Sequence, residues 1–201
     1  MSWIKTIKYE NADKKLKSIY NKVKGADNNI DNVLLVHSLR PHSLVGHMAL
    51  YKNVLHNSNN TLPKWYLEAI GVYVSFLNKC DYCVTHHFEG FKRLLNDDEK
   101  AKKYLNTVLS NSLDSFFEEK YLLGINYAKD LTNSLHSINK KTIDDLINIG
   151  FSEGEILEIN QVTSYFNYVN RTVVGLGVTT EGDIIGLSPN NSDNPDDWNH
   201  K

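Results

Sequence analysis

Trp65-Tyr66-Leu67-Glu68-Ala69-Ile70-Gly71-Val72-Tyr73-Val74-Ser75-Phe76-Leu77, then Asn78-Lys79, then Cys80-Asp81-Tyr82-Cys83-Val84-Thr85-His86-His87, is the stretch that sets the architecture of this chain. Its first part carries apolar side chains on every helical face, the pattern of a helix buried all round. The reading places that helix over Leu62 to Asn78, broken at Asn78-Lys79, with a second helix opening at the cysteines and running through Phe88, Phe91, Leu94 and Leu95. Glu68 is the only charge between Trp65 and Leu77. A carboxylate buried there has to find a proton, a hydrogen-bond donor or a cation, because unpaired burial is costly and raises its pKa. On the second helix Cys80, Cys83 and His87 fall at i, i+3 and i+7, so one face gathers two thiols and an imidazole.

Outward from this pair the helical period persists, and the alternation expected of strands is nearly absent, which predicts an all-α multi-helix bundle. Leu16, Ile19, Tyr20 and Val23 form an amphipathic stripe stopped at Gly25, and Val33 to Leu39 reads as a short helix ended by Arg40-Pro41. Ser43 is a candidate cap for a helix carrying Leu44, His47, Met48, Tyr51, Val54 and Leu55. After the polar loop Asn57-Ser58-Asn59-Asn60, Thr61 is a candidate cap with Pro63 in the first turn. Asn96-Asp97-Asp98-Glu99 reads as a capping box for a helix to Leu109, Leu113 to Leu131 as a further helix, Thr142 to Ile149 as a short one, and Ser152 to Val174 as a long one ended by Gly175 and Gly177. At an offset of 90, Leu67, Glu68, Val72 and Phe76 match Leu157, Glu158, Val162 and Phe166, a faint internal repeat in which Asn170 and Val173 stand where Cys80 and Cys83 do. The expected organisation is one helical domain over residues 1–187 and a polar tail over 188–201, too poor in apolar residues to fold alone.

Composition bounds the function. With 41% apolar and 23% charged residues the chain can bury an ordinary core. A net charge of -2 and scattered Lys and Arg argue against nucleic acid as a partner. Met1 to Thr6 lack the basic and apolar parts of a signal peptide, and the run Ala69 to Leu77 is too short to span a bilayer. The expectation is therefore a cytoplasmic protein without membrane partners, where a CxxC pair is catalytic or metal-binding rather than a structural disulfide.

A thiol is mostly protonated near neutral pH, so a reactive cysteine needs a base, a positive neighbour or a helix N-terminus. The motif offers all three: Cys80 and Cys83 lie in a first turn, His87 is one turn past Cys83, and Glu68 can orient the imidazole. Helix position favours Cys80 as the attacking thiol, and nearness to His87 favours Cys83. Rival readings are zinc held by Cys80, Cys83 and His86 or His87, and two inert core thiols; covalent haem is excluded because Val84 follows Cys83. Glu68 taken alone reads equally as a pin between two helices. His86 points about 100° further round than His87, toward the far side or a subunit contact. His37 and His47 lie on apolar stripes, where core or pocket-lining imidazoles are the default, and Tyr165, Phe166 and Tyr168 read as core or interface.

Glu68, Cys80, Cys83 and His87 also reproduce the E-x11-C-x2-C-x3-H spacing of the alkyl hydroperoxidase D family, within the carboxymuconolactone decarboxylase superfamily. Val36-His37-Ser38-Leu39, the Leu44 to Leu55 helix, and Tyr165-Phe166-Asn167-Tyr168-Val169-Asn170-Arg171 with Gly175-Leu176-Gly177 resemble its peroxidase-related branch, over roughly Ile4 to Ile185. The resemblance implies an all-helical homo-oligomer that reduces hydroperoxides with an external thiol or dithiol reductant and needs no metal, flavin or haem. It implies that Cys83 attacks the peroxide, that Cys80 resolves the sulfenic acid to a disulfide, and that His87 and Glu68 form a proton relay. Tyr82 departs from the best-known members, which carry histidine between the cysteines. A general thiol-disulfide oxidoreductase, a decarboxylating lyase and a non-enzymatic helical or zinc-binding module are the alternatives.

Overall fold

The computed structural model describes residues 2–25, 28–186, 194, 197 and 198. Among these residues there are nine α-helices and no strand: α1 Lys14–Val23, α2 Asn32–Leu35, α3 Pro41–Leu55, α4 Lys64–Leu77, α5 Asp81–Leu95, α6 Asp98–Leu109, α7 Glu119–Asn133, α8 Lys140–Asn148 and α9 Glu153–Gly175. The all-α expectation holds, and no helix among the described residues is long and apolar enough to cross a membrane.

Several boundaries differ from the sequence reading, each for a local reason. Pro41 rather than Ser43 opens α3, since a first-turn proline lacks only an N–H that would have no partner there. Ser43 lies inside the helix and donates to the Arg40 carbonyl at 2.8 Å. Thr61 does not cap α4; its N–H and that of Leu62 instead donate to the Glu158 carboxylate at 2.8 and 2.9 Å. The Asp97 side chain caps α6 through the Lys100 N–H at 3.0 Å, without the reciprocal bond of a box. The helix expected from Leu113 is divided into a single turn over Leu113–Ser115 and α7. Ser152 does form a box with Glu155, which fixes the start of α9.

The largely apolar α4 is buried along most of its length, packed against α3, α5, α7 and α9. At Gly71 it meets α9 closely: a methyl group there would lie 2.2 Å from the Phe166 ring. The faint repeat pairs these two packed helices, but Glu158 binds backbone at the start of α4 whereas Glu68 lies buried in the core.

Past α9, Gly177 takes φ +61° and the chain turns back as a strap over Val178 to Gly186. Asn32 Nδ2 donates to the Thr179 and Glu181 carbonyls at 2.9 Å, and the Arg93 guanidinium donates to the Gly186 carbonyl. The polar tail expected over residues 188–201 lies outside the described residues apart from Asn194, Asp197 and Trp198.

Candidate active site

Lys79 adopts φ +55° between α4 and α5, and the Cys80 N–H donates back to the Ser75 carbonyl at 2.9 Å. This tight turn makes Cys80 the cap of α5 and Cys83 a first-turn residue. Both are free thiols, both are buried, and their sulfurs lie 2.7 Å apart.

Their environments push them in opposite directions. The hydrogen bond from Cys83, helped by Asn170, holds the Cys80 thiol below the ordinary range against the opposing effect of burial. Burial, then the neighbouring Cys80, pushes Cys83 well above it. Asn170 is itself fixed, its amide donating to Ser75 Oγ and its carbonyl oxygen accepting from Asn78, both at 3.0 Å. One proton is thus best held on Cys83 and donated to a Cys80 thiolate.

Glu68, 1% exposed, answers the question its burial raised. Its Oε2 lies 2.8 Å from His87 Nδ1, the pairing the spacing predicts. Its Oε1 lies 3.5 Å from Nε2 of His56, a buried imidazole at the end of α3, and the same nitrogen is 2.8 Å from Tyr51 Oη. The His87 ring stands edge-on to Phe166, with centroids 4.6 Å apart.

Cys83 makes no direct hydrogen bond to His87. Both side chains instead face one narrow pocket between α2, α3, α5 and α9, walled by Tyr51, Met48, His47, Tyr165 and His86, with about 50 Å³ open to the centre of a water-sized molecule. Cys80 opens on the other side, into a groove of about 310 Å³ bordered by Lys79, Thr85, Val174, Thr179 and Thr180.

Two expectations change here. His86 does not turn to the far side: it lines the pocket, stacks on Tyr82 at 4.5 Å, and places Nε2 3.4 Å from Asp183. Tyr165 is a pocket wall as well as core. His47 lines the pocket, and His37 bonds the Val33 carbonyl at 2.8 Å with its ring 4.8 Å from His47. Burial holds the His37 imidazole below its usual range.

Tyr82 has a structural job. Its hydroxyl donates to Asp183 at 2.6 Å and accepts from the Val33 N–H at 3.2 Å, tying the motif to the strap and to α2. Burial, then the nearby Asp183, keeps this phenol well above its usual range. Among the described residues no three His, Cys, Asp or Glu side chains converge as ligands for a metal ion. Sequence reasoning missed His56, Ser75 and Asp183 altogether; only the position of His56, just before a polar loop, hinted at anything.

No protein-family model and no curated protein matches this sequence. Comparison of structures does find relatives. An alkylhydroperoxidase AhpD core, an uncharacterized peroxidase-related protein from Ralstonia eutropha, superposes with a TM-score of 0.74 over 89% of this chain and 92% of its own, at 20% identity. The chain has the AhpD-like fold. An uncharacterized peroxidase-related protein from Silicibacter sp. matches at TM-score 0.66 and 24% identity over 73% of this chain and 74% of its own. The debrominase Bmp8 bound to 2,3,4-tribromopyrrole matches at 0.63 and 17%, covering 83% of each chain. At these identities the AhpD likeness is one of architecture, and the chemistry has to be argued from the side chains.

Proposed function

We propose that this AhpD-like chain is a thiol-dependent peroxidase whose Cys80-Cys83 dithiol reduces small hydroperoxides. One observation carries the reading: two free thiols in contact, one lining a narrow pocket beside a Glu68-His87 pair and the other lining a wider groove. Cys83 meets the peroxide in the pocket. Its sulfur takes the distal oxygen to give a sulfenic acid, the O–O bond breaks, the remaining oxygen takes up a proton and departs as an alcohol, and His87, oriented by Glu68, accepts the thiol proton. Cys80, already favoured as a thiolate, attacks that sulfenic sulfur; the S–O bond breaks and the departing hydroxide takes up a proton from solvent to leave as water, closing the disulfide. An external thiol or dithiol reductant then reopens the disulfide from the Cys80 groove. The pocket's size restricts the substrate to a small molecule, and its apolar walls favour an organic one. Val45, Leu50 and Tyr168 are exposed apolar side chains on α3 and α9 that suit a homo-oligomeric contact.

A second reading takes support from the aromatic walls of the pocket and from the debrominase neighbour: reductive removal of halogen from a small aromatic ring. There the dithiol would supply two electrons and the ring would exchange halide for a proton.

The deciding experiment titrates thiols before and after a stoichiometric pulse of organic hydroperoxide, with intact mass alongside. The expected result is loss of both thiols and of two hydrogens in mass, reversed by a dithiol reductant. Two unreactive thiols would overturn the peroxidase reading. Halide release from a brominated pyrrole by the same unreactive-to-peroxide protein would replace it with the second.

A further inference from the structure

Peroxide reduction needs two proton transfers at two places. The attacking thiol must lose a proton, and the departing oxygen must gain one, or the leaving group is a poor alkoxide. The Glu68-His87 pair serves the first place and leaves the second without a donor.

Glu68 is not a dead end. Its two oxygens face two imidazoles, His87 at 2.8 Å and His56 at 3.5 Å, and His56 Nε2 lies 2.8 Å from the Tyr51 hydroxyl. Glu68, His56 and Tyr51 are all buried, yet Tyr51 is also a wall of the pocket that Cys83 and His87 face. The Tyr51 ring stands at 4.7 Å and 74° to His56 and at 6.4 Å from His87, so one phenol ring lies beside both imidazoles while its hydroxyl is held by His56. Three titratable side chains from α3 and α4 converge there, in a core that could have been closed with apolar residues at far lower desolvation cost.

We infer that Tyr51 is the general acid that protonates the leaving oxygen of the hydroperoxide, with His56 as the positioning residue that hydrogen-bonds it and resupplies its proton. The inference rests on the peroxidase reading. In the step, the Cys83 sulfur gives an electron pair to the distal peroxide oxygen and the O–O bond breaks. The thiol proton passes to His87, and the Tyr51 hydroxyl proton goes to the leaving oxygen, which departs as an alcohol. The proton held on His87 then returns by way of the Glu68 carboxylate and His56 Nε2 to the Tyr51 oxygen, so that each group ends in the protonation state in which it began. The sum is thiol plus hydroperoxide to sulfenic acid plus alcohol, with no proton drawn from bulk water.

The test compares two reactions of the same thiol. Alkylation by iodoacetamide, followed at Cys83 by peptide mass so that reaction at Cys80 is counted apart, also consumes the Cys83 thiolate but expels iodide, which needs no acid; hydroperoxide reduction expels an alkoxide, which does. For Tyr51→Phe the expected loss in the single-turnover rate with an alkyl hydroperoxide is on the order of 100-fold, with the alkylation rate near wild type. The loss should shrink for hydroperoxides whose leaving alcohol is more acidic. His56→Gln should show the same split to a smaller extent, and His87→Ala should slow both reactions. A Tyr51→Phe protein that is folded by circular dichroism and reduces all hydroperoxides at the wild-type rate overturns the inference while leaving the peroxidase reading intact. If Tyr51→Phe misfolds, His56→Gln decides by the same comparison. A wild-type protein that alkylates but never reacts with hydroperoxide overturns both.

Discussion

At the residue scale, the difference between Cys80 and Cys83 is a difference of neighbours. Both sit at the start of α5, but the contact between the two sulfurs lowers the Cys80 pKa, whereas burial raises that of Cys83. Cys83→Ala removes the largest influence that lowers the Cys80 pKa and leaves the influence of burial, which raises it. The midpoint of Cys80 alkylation against pH is therefore expected to move upward. An unchanged midpoint would mean that the helix terminus, not Cys83, supports the thiolate. The spacing of Glu68 to His87 made their pairing legible in the sequence. The partner of the second Glu68 oxygen was not legible, because His56 reaches it only when the end of α3 folds over α4.

At the element scale, the contact of α4 with α9 supports the site from behind. Gly71 makes room for the tip of the Phe166 ring, and Phe166 in turn stands edge-on to His87. Gly71→Ala gains helix propensity worth up to about 1 kcal/mol. It also drives a methyl group into the aromatic ring, for a cost of roughly 1–3 kcal/mol. The expected net result is a lower melting temperature together with slower alkylation of Cys83, since Phe166 can yield only by moving against the imidazole. A drop in stability with unaltered thiol kinetics would show that Phe166 does not position His87. Helix existence was readable throughout from the apolar period. The starts of α3 and α4 were not, because Glu158, remote in sequence, takes the backbone N–H groups that a local Thr61 cap would have served.

At the scale of the whole molecule, the strap from Val178 to Gly186 borders the groove on the Cys80 side of the site. Asp183, whose side chain is 2% exposed, accepts from the Asn32 N–H and from the Tyr82 hydroxyl, and so joins the C-terminal segment to α2 and to the residue between the cysteines. Asp183→Ala leaves both donors buried without their acceptor, at a cost of roughly 1–3 kcal/mol. It is expected to free the strap, seen as faster amide exchange over Val178 to Gly186, and to accelerate alkylation of Cys80, whose groove the strap borders. Alkylation at the original rate, despite faster exchange, would show that access to Cys80 is set elsewhere. The strap also accounts for Tyr82: a phenol reaches Asp183 across this span and puts a fixed anchor in the middle of the motif.

By itself the sequence determined the helical architecture, the central burial of α4, and the grouping of two thiols, an imidazole and a carboxylate. All of these follow from periodicity and spacing along one or two consecutive helices, where neighbours in sequence are neighbours in space. Only the tertiary structure decided that the two sulfurs face different spaces, that His86 turns inward, and that His56, Tyr51, Asn170 and Asp183 complete the surroundings. Those residues come from α3, α9 and the returning strap, and their hydrogen bonds exist only because burial of the apolar faces brings distant segments together and obliges their polar groups to find partners.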